Sequence, residues 1–139
     1  MHTCKYILPI TPRPTPRPKL GRYGVYNEKS YTKYKKTLIQ LIQWLNVPKG
    51  DYHILYAKFY IPYPLKTAKK RMIEGFPLRK NFDCDNVVKG LCDALTQAEI
   101  ILDDRQLCTM HIEKCYTTNA NGRIEFDLFY HEKLLKTEL

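Results

Sequence analysis

The chain has 139 residues, of which 44% are apolar and 12% aromatic, so it can bury the core of one domain without metal or disulfide staples. This apolar content excludes a disordered basic tail. Lys and Arg outnumber Asp and Glu by 23 to 14, which gives a formal net charge of +9 and favours a nucleic-acid partner over an anionic membrane surface.

The five cysteines indicate free thiols, because their number is odd and no Cys-x-x-Cys pair suggests a zinc site or a disulfide framework. The first residues lack the apolar run of a signal peptide, and no stretch approaches the length of a membrane span. We therefore expect a cytoplasmic protein with no membrane partner, folded as a single domain over residues 1–139.

A basic, proline-rich arm is predicted at residues 11–24. Residues 11–18 read Thr-Pro-Arg-Pro twice, and alternating prolines favour polyproline II and forbid a helix. In that conformation Arg13 and Arg17 lie roughly 12 Å apart, which suits two phosphates with one skipped between them. The alternatives are an ordinary stiff segment or a ligand for a proline-binding adaptor domain. The candidate DNA-binding residues of the arm are Arg13, Arg17, Lys19 and Arg22.

A helix from about Asn27 to Val47 and a strand at 52–61 follow the arm. The helix has apolar residues at helical spacing, and the strand is apolar on both faces, which predicts a position inside the sheet. The basic residues 65–81 then predict either a DNA-facing loop, with Arg79 and Lys80 as contacts, or a merely exposed loop. The predicted buried stripe of the helix is Tyr31, Tyr34, Leu38, Leu41, Ile42 and Leu45.

A second helix is predicted from about Asn86 to Gln97, followed by strands near 107–116 and 123–130 and a charged tail at 131–139. The order of elements indicates the α+β class: a small mixed α/β single domain with a mixed β-sheet and two main helices.

Two close pairs of carboxylates, Asp83 with Asp85 and Asp103 with Asp104, lie within 22 residues of this basic chain. Asp83 and Asp85 are expected to leave the same side of an extended segment. A helix of about 12 residues carries the chain roughly 18 Å away. About six nearly extended residues can then return Asp103 and Asp104 to the first pair. Such a cluster repels itself unless a cation or protons intervene, which predicts a Mg²⁺ site. A helix cap at Asp85 and a polar turn at the second pair are the alternatives.

Two neighbours of the acids are further candidates. Lys89 lies one helical turn after Asp85 and could neutralise charge on a scissile phosphate; the alternative is a salt bridge to Asp93. Phe82 precedes the first acid and is either a core residue or an apolar wedge between bases.

At these residues the sequence resembles the RusA family of Holliday junction resolvases, found in bacteria and their phages. The family pattern Asp-x-Asp-Asn-x-x-Lys occurs at residues 83–89, and Asp103-Asp104 follows at the matching distance. The Pro-Arg-Pro and Gly21-Arg22 region and the Tyr- and Lys-rich helix after it are also similar to the family. The resemblance therefore covers nearly the whole chain.

The resemblance implies a homodimeric, Mg²⁺-dependent endonuclease with a RusA-like fold, for which Mn²⁺ is an alternative metal. Such enzymes bind four-way DNA junctions and nick two opposed strands symmetrically in recombination and repair. The resemblance also implies that Asp83, Asp85 and Asp104 are the essential acids, with Asp103 as a further metal ligand and Lys89 as the essential lysine. From the residues alone, two other functions stay open: a basic DNA-binding module without catalysis, and a nuclease for other branched DNA.

Overall fold

This computed structural model describes residues 4–16, 19–21, 24–26 and 29–130. Its helices and strands are β1 (Tyr6–Leu8), the hairpin β2 (Lys19–Gly21) and β3 (Gly24–Tyr26), α1 (Lys29–Trp44), β4 (Ile54–Pro62), α2 (Cys84–Gln97), β5 (Thr109–Thr117) and β6 (Arg123–Phe129). Four of the strands form a mixed sheet in the order β1-β6-β4-β5, in which β5 is parallel and β6 antiparallel to β4. The predicted α+β class, with a mixed sheet and two main helices, is confirmed.

Helix α1 confirms most of the predicted apolar stripe. Tyr31, Tyr34, Leu38 and Ile42 are buried, whereas the predicted Leu41 and Leu45 are only half-buried. The helix ends at Trp44, before the predicted Val47, and Asn46 adopts a positive φ of 54° just beyond it. A left-handed residue after the last turn cannot continue a helix, which explains the earlier end. The predicted cap Asn27 lies outside the described residues.

Strand β4 is the centre of the sheet, as its apolar faces predicted, because β5 and β6 flank it. Leu55, Ala57 and Phe59 are inaccessible to solvent and share one core with the buried faces of α1 and α2. No helix in the described part of the chain is long and apolar enough to span a membrane.

The chain turns sharply at the end of α2, and residues 100–102 form bends. The expected extended return along the whole length of the helix is therefore wrong. Glu99 has a φ of 62°, its N–H donates to the Thr96 carbonyl (3.0 Å), and the Ile100 N–H donates to the Leu95 carbonyl (3.0 Å). This is the hydrogen-bond pattern of a Schellman turn. Ile100 and Ile101 are buried directly afterwards, so the core holds this segment beside the end of the helix.

The basic loop ahead of α2 is fastened to β5. Pro77 lies opposite Cys115 in an antiparallel bridge. The Tyr116 N–H donates to the Phe76 carbonyl (2.8 Å), and the Gly75 N–H donates to the Tyr116 carbonyl (2.9 Å). This pairing covers the free edge of β5 around Cys115, on the side away from β4, and it fixes the conformation of the loop ahead of the acidic residues.

Glu74 makes a second set of contacts between the same loop and the sheet, and replacing it with glutamine tests them. The Glu74 carboxylate accepts a hydrogen bond from the Thr118 N–H (2.6 Å) and pairs with Arg123 (2.9 Å). Because the carboxylate is 37% exposed, we expect a loss of roughly 1 kcal/mol in unfolding free energy. Denaturant titration measures this loss, and Glu99→Gln on an exposed turn is the control. Equal stability of the two variants would show that the contacts of Glu74 do not stabilise the fold.

The contribution of the Glu74 carboxylate to stability also depends on pH. Burial works to raise the pKa of Glu74, but the hydrogen bonds from Thr118 and Arg123 outweigh it and hold the pKa below the ordinary 4.5. The contribution of Glu74 to stability is therefore present above pH 4.5 and is lost as the pH falls through the lowered pKa.

Candidate active site

The first pair of acids lies at the amino-terminal end of α2. Asp83 is the residue before the helix, with φ −82° and ψ 152°, and its side chain makes no capping hydrogen bond. Asp85 belongs to the first helical turn, so the expectation of one extended segment holding both acids is wrong. Both side chains are exposed, and the positive end of the helix favours their negative charge.

Lys89 lies one turn further along α2 and is exposed. The salt bridge to Asp93 that was its structural alternative does not form, because the Asp93 carboxylate pairs instead with Lys35 (3.4 Å). The Lys89 ammonium therefore remains available on the same polar face of the helix as Asp85.

The second acidic pair begins a short 3-10 turn at residues 104–106. Asp103 caps this turn by accepting a hydrogen bond from the Arg105 N–H (2.8 Å). The Gln106 side-chain amide donates to the Tyr52 carbonyl (3.0 Å), which ties the turn to the segment leading into β4. The polar turn, which was the alternative interpretation of this pair, is thus present, and Asp104 is exposed on it.

The two carboxylates of this turn have opposite pKa shifts. The pKa of Asp103 is lowered, chiefly by the hydrogen bond from the Arg105 backbone. The pKa of Asp104 is raised, first by its hydrogen bond to Asp103, then by burial and by the charges of Asp103 and Asp93. Asp104 is therefore the member of the pair that holds a proton more readily.

Asp93, which the sequence suggested only as a partner for Lys89, is an acidic neighbour of this pair. A cavity of about 220 Å³ is lined by Asp93, Thr96, Gln97, Asp103 and Asp104. Asp93 lies eight residues after Asp85, about 12 Å along the helix axis. The pair thus meets the carboxyl-terminal half of α2, and the expected approach to the first pair is not seen in the single chain.

No group of three or more His, Cys, Asp or Glu side chains within residues 4–16 and 29–130 is arranged to hold a metal ion. The available donors still fit a hard cation chemically, since they are carboxylate oxygens. The pKa of Asp104 is raised beside Asp103, and a cation between the two carboxylates would relieve their repulsion. The metal roles of Asp83, Asp85, Asp103 and Asp104 remain predictions.

The proline-rich arm crosses the start of α2. The Thr15 N–H and hydroxyl both donate to the Asn86 carbonyl (3.1 and 3.0 Å), and the Thr15 hydroxyl also contacts the Tyr31 hydroxyl (2.9 Å). The guanidinium of Arg13 donates to the Ser30 hydroxyl (3.2 Å). Residues 13–15 of the arm therefore contact both helices beside the first acidic pair.

The structure describes three of the other five predicted DNA contacts. Lys19 begins β2, and Arg17 and Arg22 lie outside the described residues, as does the tail 131–139. Arg79 and Lys80 are exposed at the end of the fastened loop, directly ahead of the first acids.

Phe82 is half-buried and packs against the core. Its carbonyl and that of Lys80 accept hydrogen bonds from the Lys114 ammonium, which also lies 5.6 Å from the centre of the Phe82 ring. These contacts favour the core interpretation of Phe82 over the DNA wedge.

Comparison with known proteins identifies the family of this chain. No curated protein sequence matches it significantly. The family model described as endodeoxyribonuclease RusA matches residues 9–128, which begin just after β1 and include both helices, β4, β5, the acidic residues and nearly all of β6. The chain therefore belongs to the RusA family of endodeoxyribonucleases.

Proposed function

We propose that this chain is a Mg²⁺-dependent nuclease that resolves four-way DNA junctions by paired, symmetric nicks in recombination and repair. The observation that carries the proposal is the RusA family match, combined with the exposed Asp83, Asp85 and Lys89 at one end of α2. Exposed carboxylates beside an unpaired lysine suit a phosphodiester substrate better than a structural role.

The proposed chemistry assigns a role to each of these residues. Asp83, Asp85 and Asp104, with Asp103, would hold the metal, which requires the second pair to come closer to the first than it lies in the single chain. Mn²⁺ is an alternative metal. When bound, a divalent cation supplies Lewis-acid activation of water and charge stabilisation at the leaving 3′-oxygen. The Lys89 ammonium offsets negative charge that develops on the phosphate. A homodimer would place two such sites across a twofold axis, in keeping with the symmetry of a junction.

The deciding experiment offers a synthetic four-way junction, a flap and a linear duplex to the protein with Mg²⁺. We expect paired nicks at symmetric positions of the junction and little cutting of the duplex. Preferred cutting of the flap would indicate a nuclease for other branched DNA. Tight junction binding without cutting in either metal would indicate the binding module.

Replacing Arg13 with glutamine is expected to weaken junction binding and to lower the slope of log affinity against log salt by about 1. The reason is that Arg13 lies where the arm crosses to α2, and its guanidinium can reach a phosphate near the acids. Residues Thr11 and Thr15 bond to the fold, so a point variant is cleaner than deleting the arm. Lys49→Gln, an exposed lysine ahead of β4, is the control, and equal slopes in both variants would exclude the contact.

A further inference from the structure

The fastened loop carries an aromatic and basic surface that the proposed chemistry does not use. A cavity of about 350 Å³ is lined by Phe76, Pro77, Arg79, Lys80 and Tyr116. The side chain of Phe76 is 49% exposed, although it belongs to a segment held by β-type pairing. An aromatic ring presented to solvent from a fixed backbone is available to a ligand.

The walls of this cavity are held in place from several directions. One face of the Tyr116 ring stacks on Tyr63, with centroids 4.4 Å apart and planes 12° apart. The Tyr63 hydroxyl donates to the Ile73 carbonyl (2.7 Å) and accepts from the Ile73 N–H (3.0 Å). The Tyr116 ring and the Phe76 backbone are therefore held in place before a ligand binds, so a planar ligand would lose little free energy in ordering this part of the cavity.

The charge of the cavity selects an anionic ligand. Arg79 and Lys80 are exposed at its rim, and no ion pair within residues 4–16 and 29–130 neutralises them. Aromatic rings beside two cations match a nucleotide, whose base stacks while its phosphate pairs with the cations. Lys80, at the rim of the cavity, precedes Asp83 by three residues, a length of chain that spans at most about 11 Å.

We propose that this cavity binds one unstacked nucleotide of the DNA strand, with its base on Phe76 and its phosphate on Arg79 or Lys80. This inference rests on the proposed function, because base pairs at a branch point lose a stacking neighbour and therefore cost less to open than those inside a duplex. It adds a single-strand binding site beside the catalytic acids and assigns the loop a role in holding the strand open.

The test measures binding of fluorescent single-stranded (dT)₁₂ and of a 12-base-pair duplex, both in EDTA to prevent cleavage. We expect Phe76→Ala to weaken (dT)₁₂ binding about tenfold, as loss of one stacked base predicts, while duplex binding changes less than about twofold. Phe76→Tyr should retain wild-type affinity. Leu65→Ala, a fully exposed apolar residue of the same loop outside this cavity, is the matched control and should also retain it.

Wild-type affinity of Phe76→Ala for (dT)₁₂, an equal loss for single strand and duplex, or an absence of (dT)₁₂ binding by the wild-type protein would each overturn the inference. Junction cleavage is measured separately. A protein that cuts junctions but binds (dT)₁₂ independently of Phe76 contradicts only the base site. A protein that binds (dT)₁₂ through Phe76 but cuts no branched DNA contradicts only the proposed nuclease function.

Discussion

Replacing Asp85 with asparagine is expected to slow Mg²⁺-dependent junction cleavage by at least about a hundredfold while junction binding is retained or becomes tighter. Asparagine keeps the shape of the side chain but removes the negative charge that a divalent cation requires. Removing one carboxylate also reduces repulsion of the DNA phosphates. Single-turnover cleavage and a binding titration without metal measure the two effects separately.

The fold should tolerate this change. Asp85 is exposed in the first turn of α2, where its charge contributes at most about 1 kcal/mol through the helix dipole. Asp51→Asn, an exposed acid ahead of β4, is the control for a general loss of negative charge. An Asp85→Asn protein that cuts junctions at the wild-type rate would refute the proposed active site.

Periodicity predicted the parts of this fold that depend on burial. The apolar spacing of α1 and α2 and the two apolar faces of β4 predicted two helices against a mixed sheet, because burial in the core determines all three. The Schellman turn at Glu99 was not predictable in this way, since a left-handed residue that is not glycine leaves no pattern in the sequence. That single turn decides where Asp103 and Asp104 lie.

The candidate site was predictable as a set of residues and much less as a geometry. The spacing within residues 83–89 predicted two acids and a lysine at the start of α2, and the structure shows all three exposed there. It did not predict how far they lie from the second acidic pair. The pairing of Pro77 and Phe76 with β5 involves too few residues to show the alternation of a strand. The loop was consequently predicted only as basic and exposed, and its aromatic cavity was missed.

Replacing Asp104 with asparagine is expected to slow cleavage by at least about a hundredfold, as for Asp85→Asn, without destabilising the protein. The pKa of Asp104 is raised by its hydrogen bond to Asp103, so its contribution to stability is present below the ordinary pKa and is lost as the pH rises through the raised value. At neutral pH the two carboxylates repel each other. An asparagine amide can donate the hydrogen bond to Asp103 without taking up a proton, so the melting temperature should stay the same or rise slightly.

Asp93→Asn is the matched control, because Asp93 lines the same cavity but is absent from the family pattern. Its substitution breaks the partly exposed ion pair with Lys35, which contributes less than about 1 kcal/mol, and should leave cleavage within a few fold of wild type. If Asp93→Asn abolishes cleavage and Asp104→Asn does not, Asp104 is not an essential acid. Loss of cleavage in Asp104→Asn alone, with its stability intact, would show that a residue held near the far end of α2 acts with Asp85.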